Sequence, residues 1–170
     1  MTGFDIPLFN LINRTFSNPF FDLLMPIFSR LGGGELYFIL GILLLFTKKR
    51  ETKMLGLLII AGLTFSYYAV GFLKVAFARP RPFAALPNVI LMGEMSKSPS
   101  FPSNHASTAF MTAVLLSSRF KKHALFYLLA ALMAFSRMYI GVHYPSDVLG
   151  GVFIGLIIGW FLLQVDRQIK

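Results

Sequence analysis

Long apolar stretches separated by short polar segments dominate the pattern along the chain. Residues Met54–Leu73 contain no charge over 20 residues, which is the length that a helix needs to cross a bilayer core. Four further stretches carry at most one charged residue or histidine each: Leu31–Thr47, Phe101–Ser118, Ala124–Val142 and Val148–Val165. The pattern predicts five transmembrane helices, because an isolated segment can satisfy its backbone groups in the bilayer core only as a helix.

The N-terminal segment has a different pattern. Residues Phe4–Arg30 are apolar but interrupted by polar side chains, and Ile6, Phe9 and Ile12 recur at helical spacing. This predicts one or two amphipathic helices in the membrane interface, with a sixth span as the alternative. The expected fold class is all-α: a single membrane domain over residues 1–170, with interfacial helices in 1–30 and a five-helix transmembrane bundle in 31–165.

Composition supports a membrane protein. Hydrophobic residues make up 56% of the chain, charged residues only 14%, and the mean hydropathy is +0.69. Soluble domains carry about 25% charged residues, so a soluble domain and a disordered segment are both excluded. The chain has no cysteine, which excludes disulfides, cysteine-ligated zinc and thiol catalysis.

The basic residues fall into two groups. The chain has 16 Lys and Arg against 7 Asp and Glu, a net charge of +9. One group follows the first, third and fifth spans: Lys48, Lys49, Arg50, Lys53, Arg119, Lys121, Lys122, Arg167 and Lys170. Basic loops favour the cytoplasm, so we expect a cytoplasmic C-terminus, an outer N-terminus and an inner-membrane location. The rest lie near the outer face, where they indicate an anionic substrate instead of nucleic acid.

Further polar side chains accompany this second group at the outer face. Lys74 and Arg81 are seven residues apart, so two helical turns would direct them the same way before the prolines end the helix. Ser103 stands where the N-cap of the third span is expected, and a helix N-terminus favours an anion. His105, Arg137, His143 and Asp147 complete the group. Ionisable residues at such depths are costly and usually functional.

These residue types suit phosphoryl transfer. Lys74, Arg81 and Arg137 can neutralise a phosphate. Two histidines allow one nucleophile and one general acid, and Asp147, four residues after His143, can orient that imidazole. Only one carboxylate lies among these residues, so a two-metal site is disfavoured, and we expect neither a metal nor another cofactor.

The sequence resembles the type 2 phosphatidic acid phosphatases (PAP2), which are integral membrane lipid phosphate phosphatases. The family motifs K-x6-R-P, P-S-G-H and S-R-x5-H-x3-D are matched in order. They correspond here to Lys74…Arg81-Pro82, Pro102-Ser103-Asn104-His105 and Ser136-Arg137…His143…Asp147. The resemblance covers about Leu31 to Val165, and one position departs from it, since Asn104 replaces the usual glycine.

The resemblance implies a role for each motif residue. His143 would attack phosphorus and form a phosphohistidine, oriented by Asp147, and His105 would protonate the leaving group. The phosphate oxygens would be held by Lys74, Arg81, Ser103, Asn104 and Arg137. Asn104 can still offer its backbone N–H, and asparagine tolerates unusual φ angles. Arg79, which precedes the motif arginine, is a candidate for contact with the headgroup.

The resemblance also implies a lipid phosphate or pyrophosphate of the bacterial envelope as substrate. Lipid A 1-phosphate is favoured, followed by phosphatidylglycerol phosphate, undecaprenyl pyrophosphate and phosphatidic acid. The protein is expected to act as a monomer. The connection Phe83–Ser100 is either a lid or headgroup-recognition element, or a solvated crossover. Two rival functions are a related vanadate-holding haloperoxidase, which five spans disfavour, and a non-catalytic anionic-lipid binder or small transporter.

Overall fold

The computed structural model describes residues 3–169, which contain helices and connecting segments but no strand. Helix α1 (Asp5–Asn10) continues into a π-helical turn (Leu11–Thr15). The other helices are α2 (Pro19–Leu31), α3 (Gly34–Leu45), α4 (Arg50–Phe77), α5 (Pro82–Ala85), α6 (Asn104–Ser117), α7 (His123–Tyr139) and α8 (Pro145–Ile169). The all-α prediction is confirmed for this part of the chain.

Helix α6 is the central helix of the bundle and packs against α3, α4, α7 and α8. Most of its side chains are buried, and many of the buried ones are small or carry a hydroxyl group. The largest apolar cluster joins Leu55 and Ile59 of α4 to Met111 of α6 and Leu162 of α8. Ser66 of α4 and Ser107 of α6 share a hydrogen bond of 2.7 Å inside the bundle. A core of small residues therefore lets these helices approach closely.

Glycines recur at every fourth residue of α8, at Gly151, Gly155 and Gly159, and this repeat creates the closest of these contacts. A methyl group on Gly151 would lie 2.3 Å from the Ser103 carbonyl oxygen, and one on Gly155 would lie 2.3 Å from that of Ser107. Neither position can accept a side chain without displacement of the helix backbone opposite. The repeat thus serves packing within one chain, and it brings the start of α8 against the start of α6.

The predicted spans differ in length from the helices that form. Two segments are each long and apolar enough to cross a membrane, namely 50–85, which contains α4, and α8. Helix α3 has only 12 residues, about 18 Å at 1.5 Å per residue, so the predicted first span is too short to cross alone. Helices α2 and α3 together are long and apolar enough to cross a membrane, and they meet at a bend of 50°.

Apolar side chains cover the outside of the bundle. Phe46 is 83% exposed, Val75 80% and Phe72 73%. Soluble proteins rarely expose apolar surface of this extent, and lipid would cover it in a membrane. The exposure pattern therefore agrees with the apolar spans.

The N-terminal segment is helical, as expected, but it is more than a surface attachment. Phe9 and Asn13 are completely buried. The Asn13 amide donates to the carbonyl oxygens of Tyr139 (2.7 Å) and Ile90 (2.8 Å) and accepts from the Ile90 N–H (3.0 Å). The segment therefore packs into the bundle and joins the end of α7 to the long connection before α6.

Candidate active site

The first pair of the site is His143 with Asp147. His143 lies in the short loop between α7 and α8, and Asp147 lies in the first turn of α8. The Asp147 Oδ2 atom is 3.5 Å from the His143 Nδ1 atom and accepts the Tyr144 N–H at 2.8 Å. Both side chains are buried. A carboxylate beside Nδ1 holds the proton on that nitrogen and leaves the lone pair on Nε2.

The other side of the His143 ring faces Arg81. The Arg81 Nη1 atom lies 3.4 Å from His143 Nε2 and donates to the Val142 carbonyl oxygen at 3.0 Å. Burial lowers the pKa of His143 to about 3, and the charges of Arg137 and Arg81 act in the same direction, while Asp147 opposes them. The imidazole is therefore neutral at physiological pH, which is the state that a nucleophile needs.

Lys74 and Arg81 converge, but not by the helical spacing that the sequence suggested. Helix α4 ends at Phe77 because Ala78 adopts a left-handed conformation (φ +43°), and Arg81 has extended backbone. Both side chains reach the end of the long connection, where Lys74 Nζ donates to the Pro99 carbonyl oxygen. Arg81 Nε donates to the Ser98 carbonyl oxygen at 2.8 Å.

Arg137 and His105 approach the same centre from α7 and α6. Arg137 donates from Nη1 to the hydroxyl of Ser29, a buried residue of α2. Its Nε atom is buried and has no hydrogen-bond partner within the described part of the chain. His105 lies within electrostatic range of the other motif groups: Arg137, His143, Arg81 and Lys74.

Ser103 is the N-cap of α6, as predicted, and its hydroxyl accepts the Ala106 N–H at 3.4 Å. Its own N–H donates to the Asp147 carbonyl oxygen at 2.9 Å, which fixes the starts of α6 and α8 together. Asn104 is the first residue of α6, and its Oδ1 atom is buried without a hydrogen-bond partner among residues 3–169. Both residues therefore lie at the start of α6, next to the first turn of α8.

Arg79 is directed into the protein, and not outward as expected for contact with a headgroup. Its guanidinium donates to Asp147 Oδ1 at 2.6 Å and to Asp5 Oδ2 at 2.8 Å. It also stacks on the Tyr144 ring, 4.1 Å from the ring centroid. Two carboxylates and an aromatic face hold this arginine, so its contacts in the structure are those of a positioning residue.

Several residues of the site were not found from the sequence. The Ser100 hydroxyl donates to Asp147 Oδ2 and lies 3.4 Å from His143 Nδ1. In the sequence, the one sign that Ser100 belongs to the site was its position three residues before Ser103. Asp5 and Ser29 come from the N-terminal helices, far from the motifs in sequence, and no local pattern marks them. They are identified by tertiary contacts alone.

The site combines fixed positive charge with a neutral imidazole. Among residues 3–169, no three His, Asp or Glu side chains come together as metal ligands would. Arg81 and Arg137 act electrostatically on His143, and Lys74 in turn lies within electrostatic range of Arg81 and Arg137. A phosphate bound to these three groups would lie beside His143 Nε2, and this is the geometry that phosphoryl transfer to nitrogen requires.

Comparisons with known proteins agree with this chemistry. Residues 54–170 match the PAP2 superfamily. The chain is 30% identical over 169 residues to an undecaprenyl-diphosphatase of Sulfolobus acidocaldarius, covering 96% of this chain and 79% of that protein.

Two solved structures share the fold. The crystal structure of Aquifex aeolicus LpxE aligns with a TM-score of 0.81 and 35% identity over 95% of this chain and 96% of that chain. The transmembrane PAP2-type phosphatidylglycerolphosphate phosphatase of Bacillus subtilis aligns with a TM-score of 0.79 and 26% identity, covering 97% of this chain and 87% of that chain. The chain therefore belongs to the PAP2 superfamily and is a membrane phosphatase.

Proposed function

We propose that this membrane phosphatase removes phosphate from a lipid phosphate monoester or pyrophosphate of the cell envelope through a phosphohistidine on His143. The observation that carries the proposal is the orientation of His143. Its Nδ1 atom lies beside Asp147 and its Nε2 atom beside Arg81. The nucleophilic lone pair thus points toward the group that would hold the phosphate.

Two displacements complete the reaction. In the first, His143 Nε2 bonds to phosphorus, the bond from phosphorus to the lipid oxygen breaks, and His105 gives its proton to that oxygen. In the second, His105 removes a proton from water, the water oxygen bonds to phosphorus, and the N–P bond breaks to release phosphate. Lys74, Arg81 and Arg137 neutralise the charge that develops on the phosphoryl oxygens, so the proposed mechanism needs no metal.

The proposed substrate is a lipid because apolar side chains cover the outside of the bundle, so a phosphate carried by a lipid can reach the site from the bilayer. The similar proteins named above bear the names of an undecaprenyl diphosphatase and a phosphatidylglycerolphosphate phosphatase. These names support an envelope lipid phosphate. Lipid A 1-phosphate remains our first candidate.

Phosphate release from purified protein tests the proposal. The panel contains lipid A 1-phosphate, phosphatidylglycerol phosphate, undecaprenyl pyrophosphate and phosphatidic acid, each with and without EDTA. We expect His143→Ala to lower turnover by at least about 10³-fold, as for other nucleophiles, and EDTA to have no effect. His123→Ala, a matched change at the opposite end of α7, should retain activity. Turnover retained in His143→Ala would refute the mechanism, and loss in EDTA would refute its metal-free form.

The proposed topology has five crossings, with the site at the outer face of the inner membrane and the C-terminus in the cytoplasm. Helices α4 and α8 and the bent pair α2–α3 support three crossings by length and composition. Helices α6 and α7, of 14 and 17 residues, add the other two.

Because the chain lacks cysteine, a single introduced cysteine shows on which side of the membrane its position lies. Lys121→Cys should be protected in intact cells from a thiol reagent that cannot cross membranes, while Lys97→Cys should react. The reverse pattern would refute the orientation.

A non-catalytic anionic-lipid binder, the alternative that the sequence left open, needs no oriented imidazole. The pairing of His143 with Asp147 therefore disfavours it.

A further inference from the structure

Arg79 lies between two buried carboxylates that come from opposite ends of the chain. Its Nη2 atom is 2.8 Å from Asp5 Oδ2 and its Nη1 atom is 2.6 Å from Asp147 Oδ1. The Asp5 and Asp147 side chains are fully buried, and that of Arg79 is 15% exposed. Arg79 occupies a variable position of the first motif, and Asp5 lies outside the residues 54–170 that match the family.

Asp5 also holds the start of the helix that carries Asp147. Its Oδ1 atom accepts the Ser146 N–H at 2.9 Å, and its Oδ2 atom accepts the Ser146 hydroxyl at 2.7 Å. The Ser146 hydroxyl in turn accepts from Arg79 Nη1 at 2.7 Å. A carboxylate at a helix N-terminus is favoured by the free N–H groups and by the helix dipole. Helix α1 thus supplies the cap of α8 from 141 residues away.

The charges of the three side chains have a consequence for His143. Arg79 alone would neutralise the Asp147 carboxylate on its Oδ1 side and weaken its hold on the imidazole through Oδ2. With Asp5 included, a second carboxylate shares the Arg79 guanidinium, so Asp147 keeps more of its negative charge. The electrostatic interaction of these side chains with His143 is strong because a buried site screens charge poorly.

We propose that Asp5 and Arg79 form a positioning pair that fixes Asp147 and, through charge balance, preserves its negative charge for His143. The pair acts at the step in which His143 Nε2 bonds to phosphorus and the ring becomes positively charged. This inference rests on the proposed role of His143 as the nucleophile. It assigns a function to the N-terminal helix α1 that the motifs alone do not contain.

Three variants test the charge balance. Asp5→Asn is isosteric and removes one negative charge from the group. Arg79→Gln removes one positive charge and shortens the side chain. The double variant Asp5→Asn with Arg79→Gln leaves the net charge of the group as it is in the wild-type protein.

The kinetic constants separate charge balance from general damage. We expect Asp5→Asn to lower kcat on the order of tenfold, as loss of one unit charge near a partly buried site would do. The KM should stay within about twofold, because Lys74, Arg81 and Arg137 are unchanged. The double variant should return kcat to within about threefold of the wild-type value, whereas a purely structural role predicts a loss at least as large as in Asp5→Asn. If Asp5→Asn does not fold, the test is the kcat of the double variant compared with that of the wild-type protein.

A spectroscopic measurement gives the same comparison without turnover. The Nδ1–H proton of His143 resonates downfield when its hydrogen bond to Asp147 is strong. We expect it to move upfield in Asp5→Asn and to return in the double variant. This resonance tests the positioning role of Asp5 and Arg79 without any need for turnover. A wild-type protein that releases no phosphate from any lipid would refute the proposed function, and the resonance would still test the positioning role.

Asp166→Asn is the matched control. Asp166 pairs with Arg119 at 2.5 Å, and their side chains are 3% and 15% exposed, so this ion pair resembles that of Asp5. It lies about 28 Å along α8 from Asp147. Asp166→Asn should lower thermal stability and leave kcat and the His143 resonance unchanged. Wild-type kcat and an unchanged resonance in Asp5→Asn, or a double variant as impaired as Asp5→Asn, would overturn the proposal.

Discussion

The close contact between α6 and α8 makes Gly155 the most sensitive position for a test of the fold. In Gly155→Ala the new methyl group would lie 2.3 Å from the Ser107 carbonyl oxygen and 3.0 Å from the Met111 nitrogen. Van der Waals contacts of carbon begin near 3.5 Å, so the two helices must separate by about 1 Å. Both obstructing atoms are backbone, and rotation of a side chain cannot relieve the overlap.

The magnitude follows from two opposing effects. Overpacking costs about 1–3 kcal/mol, and replacement of a helical glycine by alanine returns up to about 1 kcal/mol. We therefore expect a net loss of about 1–2 kcal/mol and a fall in Tm of roughly 2–8 °C. Activity should fall further, by up to about 100-fold, because α8 carries Asp147 and α6 carries His105, and a 1 Å misplacement costs that much.

Gly71→Ala provides the matched comparison. Gly71 lies inside α4, and a methyl group there would have no atom within 4 Å apart from its chain neighbours and the adjacent backbone of α4 itself. The same substitution should therefore leave kcat unchanged and keep or raise the Tm. Thermal unfolding in detergent and phosphate release measure both effects. Wild-type Tm and kcat in Gly155→Ala would refute the close-packed interface between α6 and α8.

Three further predictions concern single side chains. Since the pKa of His143 is lowered to about 3 against about 6.5 in the unfolded chain, the unfolded state gains a proton first as pH falls. Wild-type protein should thus lose about 3 kcal/mol of stability between pH 6.5 and 4 relative to His143→Gln, and parallel stability curves would contradict this. Asn13→Leu should cost about 2–3 kcal/mol in thermal unfolding because it leaves the Ile90 and Tyr139 backbone groups unpaired. Asn10→Leu is its control, and equal losses would argue against the Asn13 contacts. Ser29→Ala should raise KM more than it lowers kcat, since it releases Arg137 from α2, and an unchanged KM would exclude that role.

The sequence predicted the helical membrane fold because hydropathy is a local property. A charge-free run such as Met54–Leu73 requires a helix in lipid wherever the rest of the chain goes. The limits of the spans were less accurate. Helix α3 is shorter than the predicted first span, and α4 ends at Phe77 because of the conformation of Ala78, which hydropathy does not report.

The spacing of the motifs was sufficient to predict a site, for a similar reason. His143 and Asp147 are four residues apart, and a short loop followed by a helical turn brings them together without help from the rest of the fold. Lys74 and Arg81 converge as well, although the helix between them is broken and the end of the long connection receives both side chains. Here the prediction of convergence was right for the wrong geometric reason.

Hydropathy and motif spacing were thus enough to predict a helical membrane protein with phosphate-site motifs at one face. The residues that support those motifs are found only from the packing of the helices. The contacts of Asp5 with Ser146 and of Ser29 with Arg137 join residues 141 and 108 positions apart. Such contacts depend on how the helices pack, and helix packing depends on side-chain shape across the whole bundle. Local hydropathy and spacing do not contain that information.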